Sequence, residues 1–348
     1  MRIIHLMSTH AFSGAENVAC QIMNAFKDNP NYDMIYVSEI KENKKCLEDR
    51  NINYYELEKF SYSNVKKAID ELKPDIIHAH DVRAIIIASL FYKKAKIVGH
   101  IHGNHENMRK TTPKTILFNN VVKKLDKIIW VSKSSLDNYK YKEKSMDKSE
   151  IIYNSIDAEK LYSRIKEDTN EYENYDIVYL GRLSYPKNPI RLLEIIKKIK
   201  EEKSNIKVAI IGNGELENEV KNFIIDNNLK DNVVLYGYME NPYKILNSSK
   251  MMIMTSRYEG TPMCALEAMA LGKPIISTPT DGLKDIIDNN ESGFCSDDDI
   301  ALCQKIIDLL DNPNKLAQMS KNVARKSSKI NDMCRYKENI QKIYKMEM

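Results

Sequence analysis

Residues 250–277 read KMMIMTSRYEGTPMCALEAMALGKPIIS. The apolar run 250–254 suits a buried strand. The turn SRYEG, a helical pattern over 262–271 and a second apolar run at 274–277 follow it. Strand, crossover helix and strand at this spacing predict a parallel pair. In such sheets ligands collect beyond the carboxyl ends of the strands, where loops lead into helix N-termini. Thr261 there reads as an N-cap and Pro262 as the first helical residue, where a missing N–H costs nothing. The N–H groups of Met263, Cys264 and Ala265 are then expected to face an anion, with the carboxylates of Glu259 and Glu267 to either side.

The alternation continues in both directions along the chain. Strands are expected at 2–7, 33–37, 75–79, 96–101, 127–131, 150–153, 176–180, 206–211 and 232–236. Helical patterns lie near 14–27, 63–72, 82–93, 112–125, 134–140, 188–201, 215–227, 241–248 and 299–311, and 313–346 reads as all helical. The polar stretch 157–174, with KEDTNEYEN, interrupts the rhythm and reads as an inter-domain connection. The expected class is α/β, two doubly wound Rossmann-like domains over 1–160 and 161–330 with a cleft between them, then a terminal helix over 331–348.

The chain has 348 residues, 29% charged and 43% hydrophobic, as soluble two-domain proteins do. It shows no run of eighteen apolar residues. Its six scattered cysteines form no CxxC pair, which fits reduced thiols in a cytosol. The net charge of +4 is uneven: residues 1–160 carry 26 Lys and Arg against 21 Asp and Glu, and residues 161–348 carry 27 against 28. That excess is too mild for nucleic acid but suits an anionic membrane surface.

Two further strand ends carry candidate chemistry. After the first strand, STHAFSGAEN contains Gly14, where backbone could approach an anionic group; an ordinary helix cap reads the same way. After 176–180, GRLSYPKN brings Arg182 and Lys187 to a turn stiffened by Pro186, and both cations could converge on one diphosphate. Neither GxGxxG nor a P-loop occurs, which disfavours a nicotinamide dehydrogenase or an ordinary ATP site.

All seven histidines lie at or before residue 105. His78 with His80, and His100 with His102, repeat at the strand period of two, so each pair shares a sheet face; His105 follows. A metal site is one reading. Without an acidic motif at ligand spacing, histidines lining strand ends are the other, and no metal is expected. The segment 107–127 mixes six basic residues with Ile116, Leu117, Phe118, Val121, Val122 and Leu125; it suits an anionic bilayer or a helix covering the sheet.

The run RYEGTPMCALEAMALGKPIIS resembles the nucleotide-sugar signature of glycosyltransferase family four, a glutamate, seven residues, then a second glutamate. GRLSYPKN is similar to the family's Gly-Arg-Leu and Lys-Asn segment, IIGNGELENEV to its Gly-Asp-Gly segment, and YNSID to its Asn-Gly-Val-Asp stretch. The likeness is strong over 176–295 and looser over 1–160. It implies the GT-B fold, with the C-terminal helix crossing back to the N-terminal domain, an acceptor-binding domain over 1–160 and a donor-binding domain over 161–330. It also implies a retaining transfer from a UDP- or GDP-linked sugar to a hydroxyl on a glycan or lipid-linked acceptor.

Residue by residue, the resemblance implies that Glu267 binds the donor ribose. Arg182 and Lys187 hold the diphosphate with the backbone after Thr261, including Met263 and Cys264, and with Gly14. It further implies that Glu259 faces the transferred sugar, that Tyr238 lies beside the base, and that His102 sits near the sugar and the attacking hydroxyl. Met263 and Cys264 after the Thr-Pro pair, and Asp285, depart from common members. The implied setting is polysaccharide or glycolipid assembly in the cytoplasm, with contact at the inner face of the cell membrane. Rival readings are an epimerase or phosphorylase of the same fold and a non-catalytic sugar-nucleotide-binding subunit.

Overall fold

The computed structural model describes residues 1–9, 14–40, 44–103 and 106–345. The chain divides into two compact units, Met1–Asn154 with Cys334–Met348, and Ser155–Met333.

The first unit holds a seven-stranded parallel sheet: β1 (Arg2–Leu6), β2 (Asp33–Ser38), β3 (Tyr54–Glu56), β4 (Ile76–Ala79), β5 (Lys96–Ile101), β6 (Lys127–Trp130) and β7 (Ser149–Ile151). Their order across the sheet is β3-β2-β1-β4-β5-β6-β7. In the second unit β8 (Tyr175–Leu180), β9 (Val208–Ile211), β10 (Val233–Gly237), β11 (Ser249–Met254), β12 (Ile275–Ser277) and β13 (Gly293–Cys295) run in the order β10-β9-β8-β11-β12-β13. Each is a doubly wound sheet whose strand order reverses beside its first strand, at β1/β4 and at β8/β11. Such a reversal opens a crevice at the strands' carboxyl ends.

Central strands such as β9 (VAII) are apolar and buried along their whole length, as in a parallel sheet covered on both faces, whereas the edge strands β3 and β7 are partly exposed. Ile4, Leu6, Ile77, Ile85, Phe118 and Trp130 belong to the core of the first unit. Ile177, Leu192, Ile196, Val208, Met251 and Ile306 belong to that of the second. Each fully buried side chain of this kind contributes roughly 1.5–3 kcal/mol. From Cys334 onward the terminal helix Met333–Tyr344 belongs to the first unit: the Phe26 and Tyr344 rings pack at a tilt with centroids 6.0 Å apart, and the Tyr344 hydroxyl lies 2.7 Å from His78 Nδ1.

Some local expectations change. The polar stretch 157–174 is not all connection: Asp157 accepts from the Lys160 N–H at 3.0 Å and caps the helix Ala158–Glu167. Only Leu161 of that helix is buried, so its apolar face is too narrow to read. The C-terminal pattern 313–346 is two helices, Pro313–Ile330 and Met333–Tyr344, separated at Asn331. Asn331 turns inward there, and its Oδ1 accepts from the Ile156 N–H at 3.3 Å.

Candidate active site of the second unit

The β8/β11 reversal gathers most of the residues singled out in the sequence. The loop after β8 is held by its neighbours: Gly181 N–H donates to Ile211 at 3.0 Å, Leu183 N–H to Asn213 at 2.8 Å, and Leu216 N–H to Leu183 at 3.0 Å. Gly212, at φ +135°, lies so near that a Cβ there would stand 2.0 Å from the Gly181 carbonyl oxygen. Hence the GNGE loop is glycine-rich: it lets the two strand-end loops touch. Asn188, in the left-handed region at φ 51°, ends the turn and starts the helix Pro189–Glu202.

After β11 the chain runs back across this turn. Arg257 N–H donates to the Pro186 carbonyl at 2.8 Å, and the Thr255 hydroxyl to that of Asn188 at 2.9 Å. Lys187 Nζ thereby meets Glu259 Oε1 at 2.5 Å, and the Ser256 hydroxyl donates to the same oxygen at 2.6 Å. The Glu259 side chain is 8% exposed and that of Lys187 25%. Burial alone would lower the lysine's pKa, but the adjoining carboxylate of Glu259, through its charge and its hydrogen bond, raises it instead. Lys187 is therefore a fixed positive charge. Burial also pushes the Cys264 thiol up to about 12, with Lys187 working against the rise, so it stays a neutral thiol.

The helix after the turn is Met263–Ala270, with Pro262 in extended conformation as its N-cap. The cap thus falls one residue later than expected, because Pro262 at ψ 126° has not yet entered the helix. Ala265 is also corrected: its N–H donates to Pro262 at 3.1 Å. Met263 and Cys264 remain as the first-turn donors that a helix cannot satisfy from within. Thr261 is buried just before them. Gly282 lies under the same turn; a Cβ there would sit 1.2 Å from the Gly260 carbonyl oxygen.

Glu267 lies further along this helix, 8% exposed, and accepts from the Tyr243 hydroxyl at 3.0 Å. Arg164 stacks on the Tyr243 ring, 5.2 Å from its centroid. Sequence reading missed Tyr243 and Ser256, since neither carries a motif. Tyr238 follows β10 with its side chain exposed, beyond Gly237, whose carbonyl accepts from Gly212 at 2.7 Å. Arg182 comes directly after Gly181, and its carbonyl accepts from the Tyr179 hydroxyl at 3.0 Å. Two cations, a helix start and two buried carboxylates so placed can hold a phosphorylated ligand and orient its hydroxyls.

Gly14 and His102 belong to the first unit. Gly14 opens the helix Gly14–Phe26; residues 10–13 of its loop, and His105, lie outside the described residues. His102 follows β5, and its Nε2 is 2.9 Å from His80 Nδ1. His5, His78 and His80, and again His80, His100 and His102, lie close enough together to ligate an ion.

Comparisons with known proteins bear on the family and the fold. The family description "Glycosyl transferases group 1" matches residues 163–326, and "Glycosyltransferase Family 4" matches 43–160. An uncharacterized glycosyltransferase of Haemophilus influenzae is 26% identical over 332 residues, 90% of this chain and 92% of the relative. Other relatives match in part. An uncharacterized glycosyltransferase of Methanocaldococcus jannaschii is 33% identical over 38% of this chain and 34% of its own length. An N-acetylgalactosaminyltransferase of Campylobacter jejuni, named for a diphospho-undecaprenol-linked substrate, is 28% identical over 54% of this chain and 51% of its own length. Among solved structures, Anabaena HepE in complex with UDP-glucose superposes with a TM-score of 0.86 at 18% identity, over 99% of both chains, a likeness of fold. With both halves matched and both sheets of the GT-B type, the chain belongs to glycosyltransferase family four.

Proposed function

We propose that the protein is a retaining glycosyltransferase that moves a sugar from a UDP- or GDP-linked donor to a hydroxyl of a glycan or lipid-linked acceptor. The observation that carries this reading is the grouping of Lys187, Glu259, the Met263–Ala270 helix start and Glu267 at one sheet reversal. Glu267, oriented by Tyr243, takes the ribose hydroxyls. Arg182 and Lys187, with the N–H groups of Met263 and Cys264 after Thr261, take the diphosphate. Glu259 positions Lys187 and faces the transferred sugar, and Tyr238 flanks the base.

As the glycosidic bond breaks, negative charge grows on the departing diphosphate, and fixed cations with a helix start stabilise it. This chemistry is supplied by protein charge, so turnover is expected to survive a metal chelator. The leaving phosphate takes the acceptor proton in a same-face substitution. Gly14 contributes backbone approach to an anionic group, and His102 orients the reacting groups.

The acceptor class draws on the Campylobacter relative, whose name includes a lipid-linked diphosphate. Polysaccharide or glycolipid assembly at the inner face of the cell membrane is the setting we propose. Among the described residues no helix is long and apolar enough to cross a membrane. Peripheral contact would use Ile116, Leu117, Leu90 and Tyr92, all exposed, beside Lys124, whose ammonium lies 5.4 Å from the Tyr92 ring centroid. Sedimentation with anionic vesicles should fall on charge reversal of Lys123 and Lys124; unchanged sedimentation would remove the membrane from the account.

Calorimetric titration with UDP and GDP tests the donor site. One nucleotide should bind, and Glu267→Ala should weaken it at least tenfold. Equal affinity in the variant would move the ribose elsewhere.

A further inference from the structure

The histidines of the first unit are arranged as two hydrogen-bonded rows. In one, His5 Nδ1 lies 2.9 Å from His80 Nε2, and His80 Nδ1 lies 2.9 Å from His102 Nε2. In the other, the Tyr344 hydroxyl lies 2.7 Å from His78 Nδ1, and His78 Nε2 lies 3.1 Å from His100 Nδ1. The rows stack, with His80 over His78 at 4.3 Å between centroids and His102 over His100 at 4.0 Å. Strand register builds this: His5 pairs with His78 across β1/β4, and the period of two brings His80 and His100 to the same face.

Each link joins an Nδ1 of one ring to an Nε2 of the next. A neutral imidazole has one N–H donor and one bare acceptor nitrogen, so a link needs one proton. If His5 Nδ1 donates to His80, then His80 Nε2 is bare, its proton is on Nδ1, and it donates to His102, whose proton is also on Nδ1. If His102 Nε2 donates instead, all three protons sit on Nε2. Mixed arrangements place two protons or none in one link. Burial holds His5 and His80 neutral, lowering the pKa of His5 to about 3 and that of His80 far below its ordinary value. With His5 and His80 neutral, the row orders protons.

We infer that His5, His80 and His102 form a single tautomeric unit, in which His80 and His5 are positioning residues that fix whether the His102 Nδ1 donates or accepts a hydrogen bond. The use of that nitrogen in transfer rests on the proposed role of His102; the coupling of the three rings does not. Spacings of 2.9 Å fit one shared proton and are shorter than the roughly 3.3 Å that two nitrogens at 2.0–2.1 Å from a tetrahedral ion would keep.

The test is long-range proton–nitrogen NMR of the full chain labelled with ¹⁵N-histidine, at pH 7.5 without nucleotide. His5, His80 and His102 should carry the proton on the same-named nitrogen. His80→Phe should change the His102 pattern, while Tyr344→Phe, which cuts the other row, should leave it unaltered. Different tautomers among the three rings in the wild type would overturn the inference, even if His80→Phe does not fold. So would an unchanged His102 in a folded His80→Phe, or zinc retained stoichiometrically after dialysis. Because no donor is present, failure here is separate from failure of the proposed transfer reaction.

Discussion

Lys187 Nζ and Glu259 Oε1 stand 2.5 Å apart although 72 residues separate them in the chain. The contact joins the loop after β8 to the loop after β11, and those loops flank the reversal of strand order. Breaking one partner of a well-buried pair costs about 3–5 kcal/mol. With Lys187 partly exposed, solvent reduces that cost. Glu259→Ala should therefore destabilise the protein by about 1–3 kcal/mol in urea unfolding, and Lys187→Met together with Glu259→Ala should cost less than the two separately. Strictly additive losses would show that the pair does not organise the loops.

Tyr243 and Glu267 give a narrower prediction. Tyr243→Phe removes a hydroxyl donor to a buried carboxylate, worth roughly 1.5–3 kcal/mol for a charged acceptor. In the proposed role it should raise the donor KM about tenfold and leave kcat nearly unchanged, as read from initial rates. A selective loss of kcat would place Glu267 nearer the reacting bond than the ribose.

Gly282→Ala should damage the site without touching a ligand. Its Cβ would fall 1.2 Å from the Gly260 carbonyl oxygen, so the Glu259–Thr261 turn must move. A loss of about 2 kcal/mol or more and much weaker nucleotide binding are expected. Wild-type stability and binding would show that the turn yields freely.

The histidine rows predict acid lability of the first unit. Burial depresses the pKa values of His5, His78, His80 and His100 below the 6.5 of exposed histidine. A depressed folded pKa means that the unfolded chain takes protons first. The rows' contribution is full above about pH 6.5 and is lost progressively as pH falls from there toward the folded values, about 3 for His5. Each ring can contribute up to about 1.4 kcal/mol per pH unit in that window. Urea midpoints should drop steeply from pH 7 to 5; a flat profile would contradict neutral burial.

Short-range features of the fold are legible in the sequence and long-range contacts are not. The βαβ rhythm located the strands with broad apolar runs, and the loops at their ends carried Arg182, Lys187, Glu259 and Glu267. Missed strands are three-residue edges, Tyr54–Glu56 and Gly293–Cys295, too short for alternation to register. Histidine spacing gave the shared faces of His78/His80 and His100/His102, but joining His5 to His80 requires the register of β1 on β4. Tyr243 meets Glu267 only because the helix Tyr243–Ser248 precedes β11 and Glu267 follows it. No local pattern encodes that meeting.

Turnover of purified protein with a nucleotide-sugar panel and extracted lipid-linked acceptors tests the proposed transfer end to end. Nucleoside diphosphate release and product mass are followed together. Retaining transfer should give release only when acceptor is present, a product heavier by one glycosyl residue with the donor's anomeric configuration, and loss of both signals in Glu267→Ala and Lys187→Ala. Release that needs no acceptor, or turnover that survives both substitutions, would contradict it.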